Sequence, residues 1–334
     1  MVAGGAGFIG ANFVHYIQRE RPNWRVRVFD LLTYAGDMAR LESADIEFVQ
    51  GDIADSRAVA DAMASATWLV NFAAETHVDR SLLDAQAFLR TNVTGTYVLL
   101  RAASDAGVQK TVHVSTDEVY GETHDRAFRE TDLLNPRSPY SASKAGGEMQ
   151  VFALHATQGM PVCVTRGVNT IGPWQHPEKA VPLFTINAMR DQPLPVYGRG
   201  LQQRDRLHVD DHAAAILAVL ERGQSGEVYN VAAGNNRDNI TVVRAILERL
   251  GKPESLIRFV EDRQGHDWNY ALDSTRLRGL GWTPTHDFSS ALNTTVDWYL
   301  ANRPWWDRIV NGEFQAYYRQ QYGERLAKSE AFRP

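Results

Sequence analysis

A single cysteine, Cys163, stands among 334 residues, so no intramolecular disulfide can form and a disulfide-stapled secreted fold is excluded. Its setting, Pro161-Val162-Cys163-Val164-Thr165, reads as a strand, where a thiol is expected to be a buried, inert space-filler. Also missing is any apolar run near the roughly 18 residues that a spanning helix needs. Nothing at the N-terminus has the basic and apolar regions of a signal peptide, so the expected compartment is the cytoplasm and no membrane partner is expected. Basic residues are neither in excess nor clustered. With 35 Lys and Arg against 40 Asp and Glu the net charge is −5, which speaks against nucleic acid as a partner. Internal repeats and low-complexity stretches are lacking too. What remains is an ordinary globular balance, 44% hydrophobic and 22% charged, in a length that suits two coupled domains.

The chain opens on Gly4-Gly5-Ala6-Gly7-Phe8-Ile9-Gly10, followed by a helical stripe of Ile9, Phe13, Val14 and Ile17. Glycines in this spacing allow a tight turn, close approach of backbone to a pyrophosphate, and close packing of helix on strand. The helix N-terminus adds free N–H groups and a positive dipole end for the anion. Trp24-Arg25-Val26-Arg27-Val28-Phe29-Asp30 reads as the next strand, and Asp30 lies 20 positions after Gly10. An acid there binds ribose hydroxyls and repels a 2′-phosphate, so NAD is expected rather than NADP. Only Met1, Val2 and Ala3 precede the glycines, where such a fold wants a strand of about five residues. The first strand is short, or the sequence is trimmed before it.

Strand and helix signals then alternate. Strands are expected at Ile46–Gln50, Trp68–Ala74, Lys110–Ser115 and Pro161–Arg166, and helices at Asp55–Ser65, Asp84–Ala106 and Tyr140–Gln158, with Asp55 or Ser56 as a cap. The continuous apolar run Trp68–Ala74 suits a parallel sheet covered on both faces. The expected fold is α/β, a Rossmann-type doubly wound parallel sheet over residues 1–168, with ligands outside the carboxyl ends of its strands. Beyond about Asn169 prolines punctuate shorter strands and helices, as in a smaller mixed α/β domain over residues 169–334 with some interleaving.

Ser115-Thr116-Asp117-Glu118-Val119-Tyr120-Gly121 leaves its strand at that carboxyl edge, and Tyr140-Ser141-Ala142-Ser143-Lys144 follows. A Tyr and a Lys four residues apart share one helix face, where the ammonium is expected to favour the phenolate as a base for a hydroxyl proton. With these residues the chain resembles the extended short-chain dehydrogenase/reductases, and within them the nucleotide-sugar 4,6-dehydratases. The resemblance runs nearly the whole length, through Leu32-Thr33-Tyr34-Ala35-Gly36, Gly51-Asp52-Ile53, Ala73-Ala74-Glu75-Thr76-His77-Val78-Asp79-Arg80-Ser81, Pro177-Glu178-Lys179 and Leu194-Pro195-Val196-Tyr197-Gly198. The Thr-Asp-Glu triplet is the most discriminating, since epimerases of the same fold normally lack that acid pair.

The resemblance implies a reaction on dTDP-glucose. Tyr140 takes the O4 proton while NAD accepts the C4 hydride, with Lys144 and Thr116 in support. Glu118 removes the C5 proton, Asp117 protonates the leaving O6 hydroxyl, and the hydride returns to C6. It also implies that Gly4, Gly7, Phe8, Ile9, Gly10, Asp30, Asp52, Ile53, Ala73 and Ala74, with Tyr140 and Lys144, hold NAD. Asn169, Glu178, Lys179, Tyr197, Arg204, Asn239, Arg263, His266 and Tyr322 fall on substrate contacts, with Arg204 and Arg263 as diphosphate forks. In relatives the two long helices build a dimer's four-helix bundle, so a homodimer is implied.

Two departures from the family stand out. Asn169-Thr170-Ile171-Gly172-Pro173 replaces an Asn-Asn-Tyr-Gly-Pro run, and Arg206 and His208 replace an aromatic pair. They keep open a UDP-glucose 4,6-dehydratase or an NAD-dependent epimerase, beside a catalytically silent NAD-binding scaffold, whose mark would be loss of Tyr140, Lys144, Asp117 or Glu118. No metal is expected at His208, Asp210, Asp211 and His212, because the histidines straddle a strand-to-helix junction without a third-ligand motif.

Overall fold

The structure, a computed structural model, describes residues 1–262, 267–312 and 314–331. Seven strands form one sheet: β1 (Val2–Ala3), β2 (Val26–Asp30), β3 (Ile46–Gln50), β4 (Trp68–Asn71), β5 (Lys110–Thr116), β6 (Val162–Gly167) and, at the far edge, Val228–Val231. Their order is Val228–Val231, β6, β5, β4, β1, β2, β3, and every pairing is parallel. Central strands such as β6 are buried along their whole length, as helices on both faces require. The strand order reverses direction between β1 and β4, and that reversal opens a crevice at the carboxyl ends. Short as it is, β1 is central, with Val2 between Val28 and Val70.

Local chemistry sets several boundaries. Asp55 caps Ser56–Met63 by accepting from Arg57 and Ala58 N–H. The strand expected to reach Ala74 stops at Asn71, whose side chain accepts from Ala73 N–H at 3.0 Å and turns the chain into the cleft wall. The helix expected over Asp84–Ala106 is interrupted. It runs as Ala85–Phe88, a wide π-turn Leu89–Gly95, and Thr96–Asp105. Asn92, buried in that turn, bonds both backbone groups of Glu75 and the Ser143 hydroxyl. A Cβ on Gly147 would lie 2.5 Å from the Asn92 carbonyl oxygen. The helices approach this closely only because glycine faces the widened turn, which ties it to the wall beside the cleft.

Beyond β6 the chain builds small sheets against a second core of Val181, Leu194, Val243, Ile246 and Leu292. Leu194–Tyr197 pairs with Ile257–Val260, and Gln203–Arg204 lies between Arg237–Asp238 and Asn269–Tyr270. The last long helix, Phe314–Ala327, returns to the first half, where Gln321 Nε2 donates to Asp79 at 3.0 Å and to the Tyr197 hydroxyl at 2.7 Å. Among the described residues no helix is long and apolar enough to cross a membrane.

Candidate active site

The carboxyl ends of the sheet open on a cleft of about 470 Å³, a volume that suits a small-molecule or cofactor site. At its floor the glycine turn is sterically compulsory. Gly4 has φ +75°, in the left-handed region, and a Cβ on it would lie 2.4 Å from Ala73 N. On Gly10 a Cβ would lie 2.2 Å from the Gly4 carbonyl oxygen. Gly7, Phe8 and Ile9 line the same floor at the start of helix Phe8–Glu20. At the end of β2, Asp30 accepts from Ala6 N–H at 2.9 Å and Leu32 N–H at 2.8 Å. Burial raises its carboxyl, against those backbone bonds. Asp52 pairs with Arg90 at 2.5 Å, and Ile53, Ala73 and Ala74 complete the wall. A glycine cradle, an open helix start and an acid at the end of β2 fit a dinucleotide.

Beside that floor β5 ends at Thr116, and Asp117–Tyr120 forms one 3₁₀ turn. Thr116 Oγ1 accepts from Glu118 N–H at 3.3 Å and donates to Asp117 at 3.1 Å. Asp117 is 3% exposed, and burial first, then the neighbouring Glu118, pushes it up to about 8. Helix Pro139–Gln158 starts on a capping box between Ser138 and Ser141, with Pro139 in its first turn. That start fixes Tyr140 at the cleft. Burial raises its phenol well above the ordinary range, Glu118 and Asp117 add to this, and hydrogen bonds from Thr116 and Thr76 oppose it. Lys144, expected to hold the phenolate, instead donates to the Val114 carbonyl at 2.8 Å. Burial lowers its ammonium to about 8. Both groups are fully buried, and desolvation shifts each of them toward its neutral form.

The other wall is lined by Asn169, Glu178, Lys179, Tyr197, Arg204, Asn239 and Tyr322. Arg263 and His266 lie outside the described residues. Several of these side chains already have protein partners. Glu178 accepts from Tyr34 at 3.0 Å and pairs with Arg80 at 3.0 Å. Burial would raise it, but His77, His176, Lys179 and Arg80 hold it at about 2. The Tyr197 hydroxyl receives Gln321 and Arg325. Arg204 donates Nη1 to the Gln203 and Trp268 carbonyls and Nη2 to the Asp267 carbonyl, and stacks 4.2 Å from the Tyr270 ring centroid.

Thr76, His77 and Asp79 also line the cleft, and Arg80 reaches it through Glu178; none of the four is among the site residues expected from the sequence. A polar run directly after an apolar strand was the available signal for them. His77 has φ +91°, a left-handed backbone whose cost is borne at the cleft wall. The cluster weighed for a metal is otherwise engaged. Asp211 accepts from Thr285 and His286, His212 bonds Thr170, and His208 stacks on His286 at 4.0 Å.

A doubly wound sheet with this glycine turn, an acid ending β2 and a Thr–Tyr–Lys set at the cleft defines an enzyme of the extended short-chain dehydrogenase/reductase class. The sequence profile of the GDP-mannose 4,6 dehydratase family matches residues 1–295, and the chain belongs to that family. It is 46% identical over 306 residues to the low-salt glycan biosynthesis protein Agl12 of Haloferax volcanii, covering 90% of this chain and 98% of that protein. It is 46% identical over 318 residues to a dTDP-glucose 4,6-dehydratase of Streptomyces niveus, covering 92% and 95%. The structure of DesIV, a dTDP-glucose 4,6-dehydratase of Streptomyces venezuelae with NAD and TYD bound, superposes with TM-score 0.90 at 44% identity, covering 92% and 98%.

Proposed function

We propose that this chain is an NAD-dependent hydro-lyase that converts dTDP-glucose to dTDP-4-keto-6-deoxyglucose by oxidation at C4, elimination of water across C5 and C6, and reduction at C6. The observation that carries the reading is the Asp117–Glu118 pair beside Tyr140 in one cleft. Oxidation or epimerisation at C4 needs no adjacent acid and base, whereas elimination needs one of each. The dTDP-glucose 4,6-dehydratases to which the chain is similar support the nucleotide and the sugar. Residues 1–168 are assigned to the dinucleotide and residues 169–334 to the nucleotide sugar, with interleaving where Val228–Val231 joins the large sheet.

Gly4, Gly7, Phe8, Ile9, Gly10, Asp30, Asp52, Ile53, Ala73 and Ala74 would hold NAD, which would supply the hydride acceptor for oxidation at C4 and the donor for reduction at C6. Tyr140 receives the O4 proton, with Thr116 steadying the carbonyl that develops. To act as the base Tyr140 must first pass its own proton to water, and because its phenol is raised that loss requires positive charge beside it. Lys144, mainly cationic at neutral pH with a value of about 8, supplies that charge once its Nζ turns from the Val114 carbonyl. The C4 ketone acidifies C5–H, and Glu118 removes that proton. Asp117, kept protonated by burial and by Glu118, gives its proton to the departing O6 hydroxyl. Two close carboxyls can divide the work in this way because each raises the cost of ionising the other.

The enzyme is assigned as a cytoplasmic homodimer. Leu89, Tyr97 and Met149 are exposed along the helices that the family resemblance puts at a dimer interface, and a second copy would cover them. A lone buried thiol suits a reducing compartment. Incubation with dTDP-glucose, UDP-glucose and UDP-glucuronate in deuterated water, followed by mass spectrometry, tests the activity. Loss of water from dTDP-glucose with one deuteron gained at C5 is expected. A 4-epimer of unchanged mass would sink the reading.

A further inference from the structure

Arg206 occupies a position where the family commonly has an aromatic residue, and among the described residues no carboxylate forms an ion pair with it. It lines the cleft and is 4% exposed. Nη2 donates to Oδ1 of Asn239 at 2.8 Å, a neutral amide, and Nη1 is buried with no hydrogen-bond partner among the described residues. Asp205 and Asp117 favour its charge without forming an ion pair with it among the described residues. Asp205 accepts from Gly234 and Asn235 N–H at 2.9 and 2.8 Å. Asp117 is largely protonated at neutral pH, and the third charge near Arg206 is the like charge of Arg204. Burial first, and Arg204 second, lower its guanidinium to about 9, so it stays cationic at neutral pH. A desolvated cation without a partner is costly, and the cost is relieved when an anion enters.

We propose that Arg206 binds the diphosphate of the nucleotide sugar through its free Nη1 edge. Arg204, the arginine that the sequence suggested for this task, has both Nη atoms donated to backbone carbonyls. Arg206 lines the cleft and keeps that buried N–H unpaired, and a planar guanidinium matches phosphate oxygens well. The assignment rests on the proposed function for the identity of the anion, because dTDP-glucose carries no anionic group other than its diphosphate. It makes the departure at Arg206 a specificity feature of this chain rather than a neutral change.

The test uses NAD-loaded full-length protein, titrated calorimetrically with dTDP and with thymidine as the uncharged control. Arg206→Met is expected to weaken dTDP about tenfold to hundredfold, the range for a hydrogen bond to a charged group, and to leave thymidine unchanged. Without ligand, Arg206→Met should melt no lower than wild type, since an uncompensated buried charge has been replaced by an apolar stem, and it should lose most of the dTDP-induced rise in Tm. Arg206→Gln gives the same comparison should the methionine variant not fold. Unchanged dTDP affinity overturns the proposal. So does an equal loss for dTDP and thymidine, which marks a structural role, and so does a loss confined to nucleotide sugars bearing a sugar carboxylate. Wild-type protein that binds dTDP tightly but turns over no dTDP-glucose would sink the proposed activity and leave Arg206 standing as a diphosphate ligand.

Discussion

Replacing Asp117 by asparagine removes the acid that the proposed elimination requires, and it also changes stability by an amount that follows from burial. Asp117 sits at 3.8 in the unfolded chain and is pushed up to about 8 in the fold, by desolvation first and by Glu118 second. At neutral pH folding must therefore place a proton on it. Each pH unit between the two values is worth about 1.36 kcal/mol, so at pH 7 the penalty is on the order of 4 kcal/mol. The sign follows from the raised folded-state value. Stability associated with this group is fully present below about pH 4, and is lost progressively as pH rises toward about 8. Asparagine stays neutral throughout and keeps an acceptor for the Thr116 hydroxyl, whose bond to Asp117 is 3.1 Å long. Asp117→Asn should then be more stable than wild type by up to about 4 kcal/mol at pH 7, while turnover falls by about 10² to 10⁴ for loss of a general acid. Urea unfolding of both proteins between about pH 5 and pH 9 measures the difference at each pH. A variant less stable than wild type, or a stability difference that does not grow with pH, would refute the reasoning.

Glu118→Gln should still oxidise C4 but stall before elimination, so reduced cofactor accumulates in absorbance after mixing with dTDP-glucose; unimpaired product formation would remove Glu118 from its role. Gly10→Ala puts a methyl 2.2 Å from the Gly4 carbonyl oxygen, and the turn must open. NAD affinity by calorimetry should drop sharply and stability fall by about 1–3 kcal/mol, the usual range for overpacking, whereas unchanged NAD affinity would separate this turn from the dinucleotide. Sedimentation should find the wild type dimeric and Leu89→Glu, which charges an exposed leucine, shifted to monomer. A wild-type monomer at micromolar concentration would contradict the assigned interface.

Much of the large sheet was legible because its signals are local. Apolar runs bounded by turn residues marked β2 to β6 within a residue or two, except β4, and of the two caps the sequence offers, Asp55 and Ser56, the helix uses Asp55. What failed to read locally depended on distant partners. The apolar run after Trp68 looked like strand through Ala74, yet Asn71 turned it away. The interruption at Leu89–Gly95 follows from Asn92 reaching Glu75 and Ser143, contacts 17 and 51 residues away in the chain.

The candidate site divides along the same line. By itself the sequence determined which residue types were available: a glycine turn, an acid 20 positions after Gly10, two adjacent carboxyls, and a Tyr and Lys on one helix face. Residue spacing carries those facts, because helix and strand periods convert it directly into relative position. Only the tertiary structure decided the environment of each group. Burial, which depends on the whole fold, raises Asp117 to about 8 and lowers Lys144 to the same region, and turns Lys144 to a backbone carbonyl rather than to Tyr140. The same packing engages Arg204 with carbonyls from Gln203, Asp267 and Trp268, and leaves a buried, unpaired guanidinium N–H on Arg206. Whether a charged side chain braces a wall or faces a ligand depends on which acceptors surround it, and those come from segments that only folding brings together.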